Sequence, residues 1–154
     1  MSDFRLNRVF SRPLTQVLLK TPLTPNQITL TSLGLGLLAG YLFSLGLYTY
    51  SLAAAACYQL AVVLDNCDGE VARAKNMKSK LGGWLDIVAD FFTDGALYLG
   101  VAFGIKRQGV EGPVAFFLAL ALSGVCMHFF LVVLEKIKGF GPAVFEAPHP
   151  EHEK

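Results

Sequence analysis

The apolar residues divide the chain into long uncharged runs separated by short polar links. Residues 28–47 and 113–134 carry no Asp, Glu, Lys or Arg, and each run is long enough for a helix to cross the hydrocarbon core of a bilayer. Residues 51–64 are apolar and rich in alanine, and residues 85–105 are interrupted only by aspartates. The pattern therefore predicts four transmembrane helices in an all-α, polytopic membrane bundle.

A different pattern precedes the first run. Apolar residues such as Leu6, Phe10 and Leu14 recur at three- and four-residue steps, with arginines at other positions. This spacing predicts an amphipathic helix that lies in the headgroup layer, although an ordinary basic flank is the alternative. Asn26 can cap the helix that follows. The predicted organisation is an interfacial helix over 1–22, a transmembrane domain over 23–138 and a polar tail over 139–154.

Composition agrees with a membrane protein. The 154-residue chain is 53% hydrophobic and 16% charged, with mean hydropathy +0.49, whereas a soluble domain is about a quarter charged. The net charge of +1 and the lack of a long basic tract give no sign of a nucleic-acid partner. The three cysteines have no spacing typical of a disulfide framework or a zinc site, so we expect buried thiols.

Lysine and arginine are distributed unevenly around the predicted helices. They precede the first helix, separate the second from the third and follow the fourth, and only Lys106 and Arg107 fall on the other side. Because cytoplasmic loops carry an excess of these residues, we expect both termini in the cytoplasm. We expect the membrane to be the inner membrane of a bacterium.

Four aspartates lie where the second and third helices approach the cytoplasm. Asp65 and Asp68 are three residues apart, and Asp86 and Asp90 are four apart, so each pair shares a helix face. The short link predicts that the two helices are antiparallel neighbours, so the carboxylates can converge. Oxygen-only ligands favour Mg²⁺, Mn²⁺ or Ca²⁺, and two such ions form a clamp for a phosphoryl group.

The neighbouring residues suit a phosphate ligand. Gly69 and Gly82 allow a substrate to approach the backbone, and Arg73 can pair with a phosphate in bidentate fashion. The alternative is a set of polar helix ends exposed to the cytoplasm. That alternative does not explain Asp90 and Asp94, which lie deeper in the third helix.

The spacing of these residues carries a family resemblance. The sequence Asp65-x2-Asp68-Gly69-x2-Ala72-Arg73-x8-Gly82-x3-Asp86-x3-Asp90 resembles the signature of the CDP-alcohol phosphotransferases at every fixed position. The resemblance implies a membrane-embedded enzyme of phospholipid biosynthesis. Such an enzyme moves a substituted phosphate from a CDP-linked donor, such as CDP-diacylglycerol, to an alcohol and releases CMP. We also expect a homodimer.

The resemblance implies roles for individual residues. It implies that Asp90 is the general base and that two Mg²⁺ or Mn²⁺ ions are bound. The implied metal ligands are Asp65, Asp68, Asp86 and Asp90. The residues implied to contact the CDP part of the donor are Gly69, Arg73, Ser79 and Gly82, with Asn26 and Thr29 of the "PNQIT" segment lining the same pocket.

The predicted helix count departs from the resemblance, because such enzymes usually have about six transmembrane helices. The polar tail at 139–154 cannot span a membrane. We therefore expect a truncated chain, a fragment of a longer gene or a divergent member that a partner subunit closes.

The sequence leaves alternatives open for the acceptor and for the class of function. The segment "MKSKLGGWLD" at 77–86 is similar to enzymes that use inositol phosphate, and glycerol phosphate is the competing acceptor. An ion-coupled transporter would use intramembrane aspartates nearer the midplane. A prenyl-diphosphate enzyme fits the glycine and arginine pattern less well. An inactive membrane assembly module is the remaining alternative.

Overall fold

The computed structural model of the chain describes residues 3–110, 112 and 114–139. The described part is helical and contains no strand. Five helices follow one another within it: α1 (Asp3–Leu19), α2 (Pro25–Ser44), α3 (Tyr48–Ala74), α4 (Lys80–Arg107) and α5 (Val114–Gly139). The all-α class is confirmed, and the predicted tail lies outside the described residues from position 140 onward.

Three of the described helices are long and apolar enough to cross a membrane: Pro25–Ser44, Lys80–Arg107 and Val114–Ile137. They correspond to the first, third and fourth predicted spans. The second prediction forms the 27-residue helix α3, which begins at Tyr48 and continues through the aspartate segment to Ala74. α3 is not among the apolar candidates, so its passage across the bilayer stays a prediction.

Helix α2 lies at the centre of the bundle. It packs along both α3 and α4, while α5 packs on α4 and α1 packs on α3. The backbones of α3 and α4 scarcely approach each other among the described residues, although only residues 75–79 separate them. The predicted antiparallel neighbours therefore pack their backbones mainly on α2, and they meet each other through side chains.

Glycines bring α2 and α4 into backbone contact. A Cβ atom added at Gly100 would overlap the carbonyl oxygen of Gly40, and one added at Gly40 would lie 2.5 Å from the carbonyl oxygen of Ala96. A Cβ at Gly36 would lie 2.5 Å from Thr93 Cγ2, whereas Gly34 faces open space. Small residues permit such close approach between membrane helices, so the glycine spacing of α2 is a packing feature.

The first turn of α2 is closed by Thr24. Its side chain accepts a hydrogen bond from the Gln27 amide at 3.4 Å, and the Gln27 side chain accepts one from the Thr24 amide at 2.9 Å. This reciprocal capping box satisfies free amides at the helix start, and Pro25 occupies the first helical position. The prediction that Asn26 caps this helix is wrong, which leaves the Asn26 side chain available for the site.

Candidate active site

Three of the predicted carboxylates meet between α3 and α4. One oxygen from each of Asp65, Asp68 and Asp86 lies within 4.8 Å of the others. Asp68 is buried and its two partners are half-buried. Carboxylates held this close repel one another unless a cation or protons compensate. An oxygen-only set of this kind fits a hard divalent ion such as Mg²⁺. We call these residues the three-carboxylate cluster.

Helix α2 orients the buried member of the cluster. The Thr29 hydroxyl donates a hydrogen bond to Asp68 Oδ2, and Thr29 Oγ1 also lies 3.1 Å from the carbonyl oxygen of Pro25. Thr29 and Asp68 are 3% and 6% exposed. A hydrogen bond of this kind fixes which lone pairs of a carboxylate remain free for a metal. The residues of the "PNQIT" segment therefore support the cluster directly.

The fourth predicted ligand, Asp90, lies beside the cluster rather than within it. Asp90 lines a small cavity of about 50 Å³ between α2, α3 and α4, together with Asp65 and Asp94. It also lines a cavity of about 230 Å³ between α4 and α5, opposite His128. Asp90 thus borders the cluster through Asp65 and also faces a separate open space. Its predicted roles as metal ligand and base remain proposals.

A larger pocket of about 350 Å³ lies where α2 begins, α3 ends and α4 begins. Asp68 and Asp86 of the three-carboxylate cluster form part of its wall. The pocket is also lined by every residue predicted to contact the CDP group, namely Asn26, Thr29, Gly69, Arg73, Ser79 and Gly82. We call it the donor pocket. Residues from distant parts of the sequence therefore converge on one space next to the carboxylates.

The two glycines predicted for this pocket have different structural roles. A Cβ at Gly82 would lie 2.9 Å from Asn26 Oδ1 and 3.0 Å from Ser79 Oγ, so Gly82 lets the starts of α2 and α4 approach. A Cβ at Gly69 would lie 3.5 Å from Arg73 Nη1, an ordinary contact distance. Packing does not require glycine at position 69, so its missing side chain leaves room on the pocket wall.

The start of α4 is a favourable position for binding an anion. The Ser79 side chain caps this helix and accepts a hydrogen bond from the Gly82 amide at 2.9 Å. Helix starts carry partial positive charge and free amide groups, which favour phosphate groups. Ser79 therefore has a structural role in addition to the predicted substrate contact.

Sequence reasoning missed a contribution from α5. Lys136 lines the donor pocket and its Nζ donates a hydrogen bond to the carbonyl oxygen of Gly83 at 2.6 Å. In the sequence Lys136 counts only as a basic residue that follows the last apolar run. His128 was missed as well, because it is an isolated polar residue in an uncharged run. Only the packing of α5 on α4 brings either residue to the site.

Comparison with known proteins identifies the family. Residues 22–145 match the profile described as CDP-alcohol phosphatidyltransferase. The chain is 37% identical over 125 residues to the "Bifunctional IPC transferase and DIPP synthase" of Thermococcus kodakarensis, covering 79% of this chain and 26% of that protein. It is also 37% identical over 121 residues to the "Phosphatidylinositol phosphate synthase" of Corynebacterium glutamicum, covering 78% of this chain and 52% of that protein.

An archaeal relative extends the comparison. The "Archaetidylinositol phosphate synthase" of Pyrococcus horikoshii is 37% identical over 82 residues, which is 53% of this chain and 42% of that protein. The chain thus spans about a quarter to a half of the length of these relatives. With its three apolar helices of membrane-spanning length, it is an integral membrane protein. Because the matching profile covers most of its residues, the chain belongs to the CDP-alcohol phosphatidyltransferase family.

Proposed function

We propose that this chain carries the active site of a phosphotransferase that moves a phosphatidyl-type group from a CDP-linked lipid to an alcohol. The observation that carries the proposal is the donor pocket, in which cationic side chains and a helix start lie beside the three-carboxylate cluster. A diphosphate needs positive partners, and the transfer of its phosphoryl group needs metal-binding carboxylates. The pocket offers both within one space.

The cationic residues are placed to hold the diphosphate of the donor. Arg73, Lys78 and Lys136 all line the donor pocket. Arginine can form a two-pronged contact with a phosphate, whereas lysine acts as a point charge. The Asn26 and Ser79 side chains lie near each other at Gly82 in the same pocket and offer hydrogen bonds to the polar atoms of the nucleotide. The donor is therefore held by its CMP part, with its lipid part directed away from the cationic wall.

Divalent metal is the cofactor that the donor set fits. Asp65, Asp68 and Asp86 would hold the ions, with Asp90 completing the set for a second one. Mg²⁺ and Mn²⁺ accept ligands of this type. When bound, the ions would neutralise charge on the diphosphate and on the departing CMP.

Asp90 is assigned the proton transfer. It lies one helical turn beyond Asp86 and faces the cavity between α4 and α5, where an acceptor hydroxyl can approach. Asp90 accepts the hydroxyl proton as the oxygen attacks the phosphorus nearer the lipid alcohol. The bond between that phosphorus and the oxygen bridging to CMP breaks, and CMP leaves with the electron pair. General-base assistance of this kind contributes about 10²- to 10⁴-fold to a rate.

We propose inositol phosphate as the acceptor. The support comes from the printed names of the relatives, two of which are inositol phosphate lipid synthases. The segment at 77–86 favours the same acceptor. Glycerol phosphate is the competing acceptor, because it presents the same combination of phosphate and hydroxyl groups.

Release of labelled CMP from CDP-diacylglycerol tests the function. Membranes containing the protein receive donor labelled in its cytidine phosphate, together with inositol phosphate, glycerol phosphate or inositol. We expect CMP release that depends on inositol phosphate. Asp86→Asn membranes with an equal amount of folded protein serve as the inactive control. CMP release with glycerol phosphate but not with inositol phosphate would mean that glycerol phosphate is the acceptor. Absence of CMP release with every acceptor would favour an inactive membrane assembly module.

We propose that both termini and the α3–α4 link, residues 75–79, face the cytoplasm of a bacterial inner membrane, and that the protein is a homodimer. The support for orientation is the basic residues around this link, since such residues accumulate on the cytoplasmic side. After replacement of the native cysteines, single cysteines at Lys78 and Gln108 should label from opposite sides of sealed vesicles. Labelling of both from one side would refute the orientation. Cross-linking in native membranes tests the dimer.

A further inference from the structure

Helix α3 presents different faces to the site and to α1. Asp68, Ala72 and Arg73 line the donor pocket. The face that carries Cys67, Glu70, Val71 and Lys75 contacts α1 and the link to α2 instead. Residues three and four apart lie on the same side of a helix, so both sets follow from the helical repeat. We call the second set the back face of α3.

A carboxylate of the back face holds α1 through hydroxyl groups. Glu70 Oε2 accepts a hydrogen bond from Thr15 Oγ1 at 2.7 Å, and Glu70 Oε1 accepts one from Ser11 Oγ at 3.4 Å. Ser11 and Thr15 are almost fully buried, whereas Val17 on the other side of α1 is 60% exposed. The helix therefore turns its hydroxyl groups towards α3 and an apolar residue outward. Its attachment combines these hydrogen bonds with the apolar packing of Leu18 against α3.

A cation of the back face holds the link between α1 and α2. Lys75 Nζ donates hydrogen bonds to the carbonyl oxygens of Thr21 at 2.8 Å and Leu23 at 2.9 Å. The next residue, Thr24, caps α2, and Pro25 begins it. Lys75 lies at the end of α3, two positions after Arg73. A single ammonium group thus joins the end of one pocket wall to the start of the other.

We propose that Lys75 and Glu70 are positioning residues of the donor pocket. They fix α1 and its link on the back face of α3, and this sets the separation between Arg73 on α3 and Asn26 on α2. Neither of the two lines the donor pocket, so each acts through the elements that it holds. The proposal rests on the proposed function for its kinetic readout.

The arrangement gives a specific kinetic signature. The link that Lys75 holds leads into residues 25–29, part of the donor pocket wall. Asp90 and the cavity between α4 and α5 lie apart from it. Loosening the link therefore weakens donor binding while the proton transfer at Asp90 is retained. A residue with a purely structural role would change the amount of folded protein and leave the donor KM of the folded fraction unaltered.

Lys75→Met tests the proposal, because it removes both hydrogen bonds and keeps most of the side-chain stem. We expect the donor KM to rise about tenfold, the factor that corresponds to a loss of about 1.4 kcal/mol in binding. The kcat should stay near the wild-type value. Lys75→Arg restores a cationic donor and should recover most of the donor affinity. Lys20→Met, at an exposed lysine of the same junction, is the matched control and should behave as wild type.

Thr15→Val tests the contribution of Glu70 without altering the acidic residue itself. It removes the closer of the two hydrogen bonds to Glu70 and keeps the size of the side chain. We expect a smaller rise in donor KM, and Thr15→Ser should reverse it. All variants are compared at equal amounts of folded protein, measured by size-exclusion chromatography in detergent.

Amide hydrogen exchange over residues 24–30 gives a readout that does not need turnover. We expect faster exchange there in Lys75→Met than in Lys20→Met or wild type. If the wild-type protein releases no CMP but Lys75→Met still shows faster exchange, the positioning role is supported and the proposed function is rejected. An unchanged donor KM with unchanged exchange in Lys75→Met would overturn the positioning role. An equal fall in kcat and kcat/KM would overturn it as well, because the loss would then lie in the transition state.

Discussion

Among the described helices, α4 packs its backbone against α2 and α5, and it meets these two helices in different ways. Against α2 the two backbones touch, because glycines such as Gly40 and Gly100 leave no side chain between them. Against α5 the contact is made by side chains, with the rings of Phe91 and Phe129 centred 4.7 Å apart. Cavities remain along this second contact. Within the described part of the chain, no residue in the most apolar stretch of α5 is buried.

The difference separates the two proposed halves of the reaction. The α2 contact places Asn26 next to Gly82 at the start of α4, so one wall of the donor pocket is built on helices whose backbones touch. The α5 contact leaves Asp90 facing an open cavity with His128, where an acceptor of variable shape can enter. We propose that the rigid side holds the donor and that the open side admits the acceptor.

Removal of divalent metal gives the largest expected effect on the donor side. Chelation should abolish CMP release and weaken CDP binding, because the three-carboxylate cluster and the diphosphate are both negative. Added Mg²⁺ or Mn²⁺ should restore both. Binding of CDP is measured by equilibrium dialysis with and without chelator. Equal CDP binding with and without chelator would show that the donor binds without metal.

Asp90→Asn separates the acceptor side from the donor side. We expect turnover to fall by about 10²- to 10⁴-fold, as for loss of a general base, while CDP-donor binding weakens only modestly. Asp68→Asn should damage both turnover and binding, since Asp68 belongs to the cluster. Turnover is measured as CMP release, and donor binding is measured by equilibrium dialysis.

A wild-type-like rate in Asp90→Asn would contradict the assignment. If the variant keeps more than about a tenth of the rate, the loss is smaller than general-base removal gives. Asp94 would then be the next group to test, because it lines both cavities with Asp90.

Gly100→Ala compares the two contacts of α4 by stability. The added methyl group would overlap the backbone at Gly40, so the helices must separate, and overpacking of this kind costs about 1–3 kcal/mol. Gly124→Ala on α5 is the matched control, since a Cβ there meets nothing within 4 Å. Thermal unfolding in detergent should show a lower midpoint for Gly100→Ala alone. Equal midpoints would mean that α2 and α4 are not held by backbone contact.

Phe129→Leu gives the smallest expected effect. It removes the ring contact with Phe91, and aromatic pairs contribute about 0.5–1.5 kcal/mol beyond their buried area. The exposed Phe130 has no ring contact among the described residues, so Phe130→Leu is the control. The same unfolding measurement should place Phe129→Leu between that control and Gly100→Ala. A larger loss than that of Gly100→Ala would reverse the ranking of the two contacts.

The features that the sequence predicts correctly are those set within one helix. The pairing of Asp65 with Asp68 follows from the helical repeat, and so does the position of Arg73 beyond them. The residues assigned to the CDP group are an exception, because they come from three helices and were grouped by the family resemblance, and they line one space. The cap of α2 was assigned wrongly, because Thr24 and Asn26 are both good capping residues and only the reciprocal bond with Gln27 decides between them.

The features that the sequence does not predict depend on the packing between helices. Lys136 reaches the donor pocket only because α5 lies against α4. The position of α2 between α3 and α4 is equally non-local, since a short link normally indicates packed neighbours. The sequence does not identify His128 as a site residue, because residues 113–134 contain no second titratable side chain at a helical spacing from it.

The sparse backbone contact between α3 and α4 would make the stability of the fold depend on a bound ion. These two helices have little backbone contact, so an ion bound by Asp65, Asp68 and Asp86 would tie them together. By thermodynamic linkage, an ion that binds only the folded state at about 100 times its Kd raises the free energy of unfolding by about 2.7 kcal/mol. Magnesium concentration would then set the free energy of unfolding of the protein as well as its turnover.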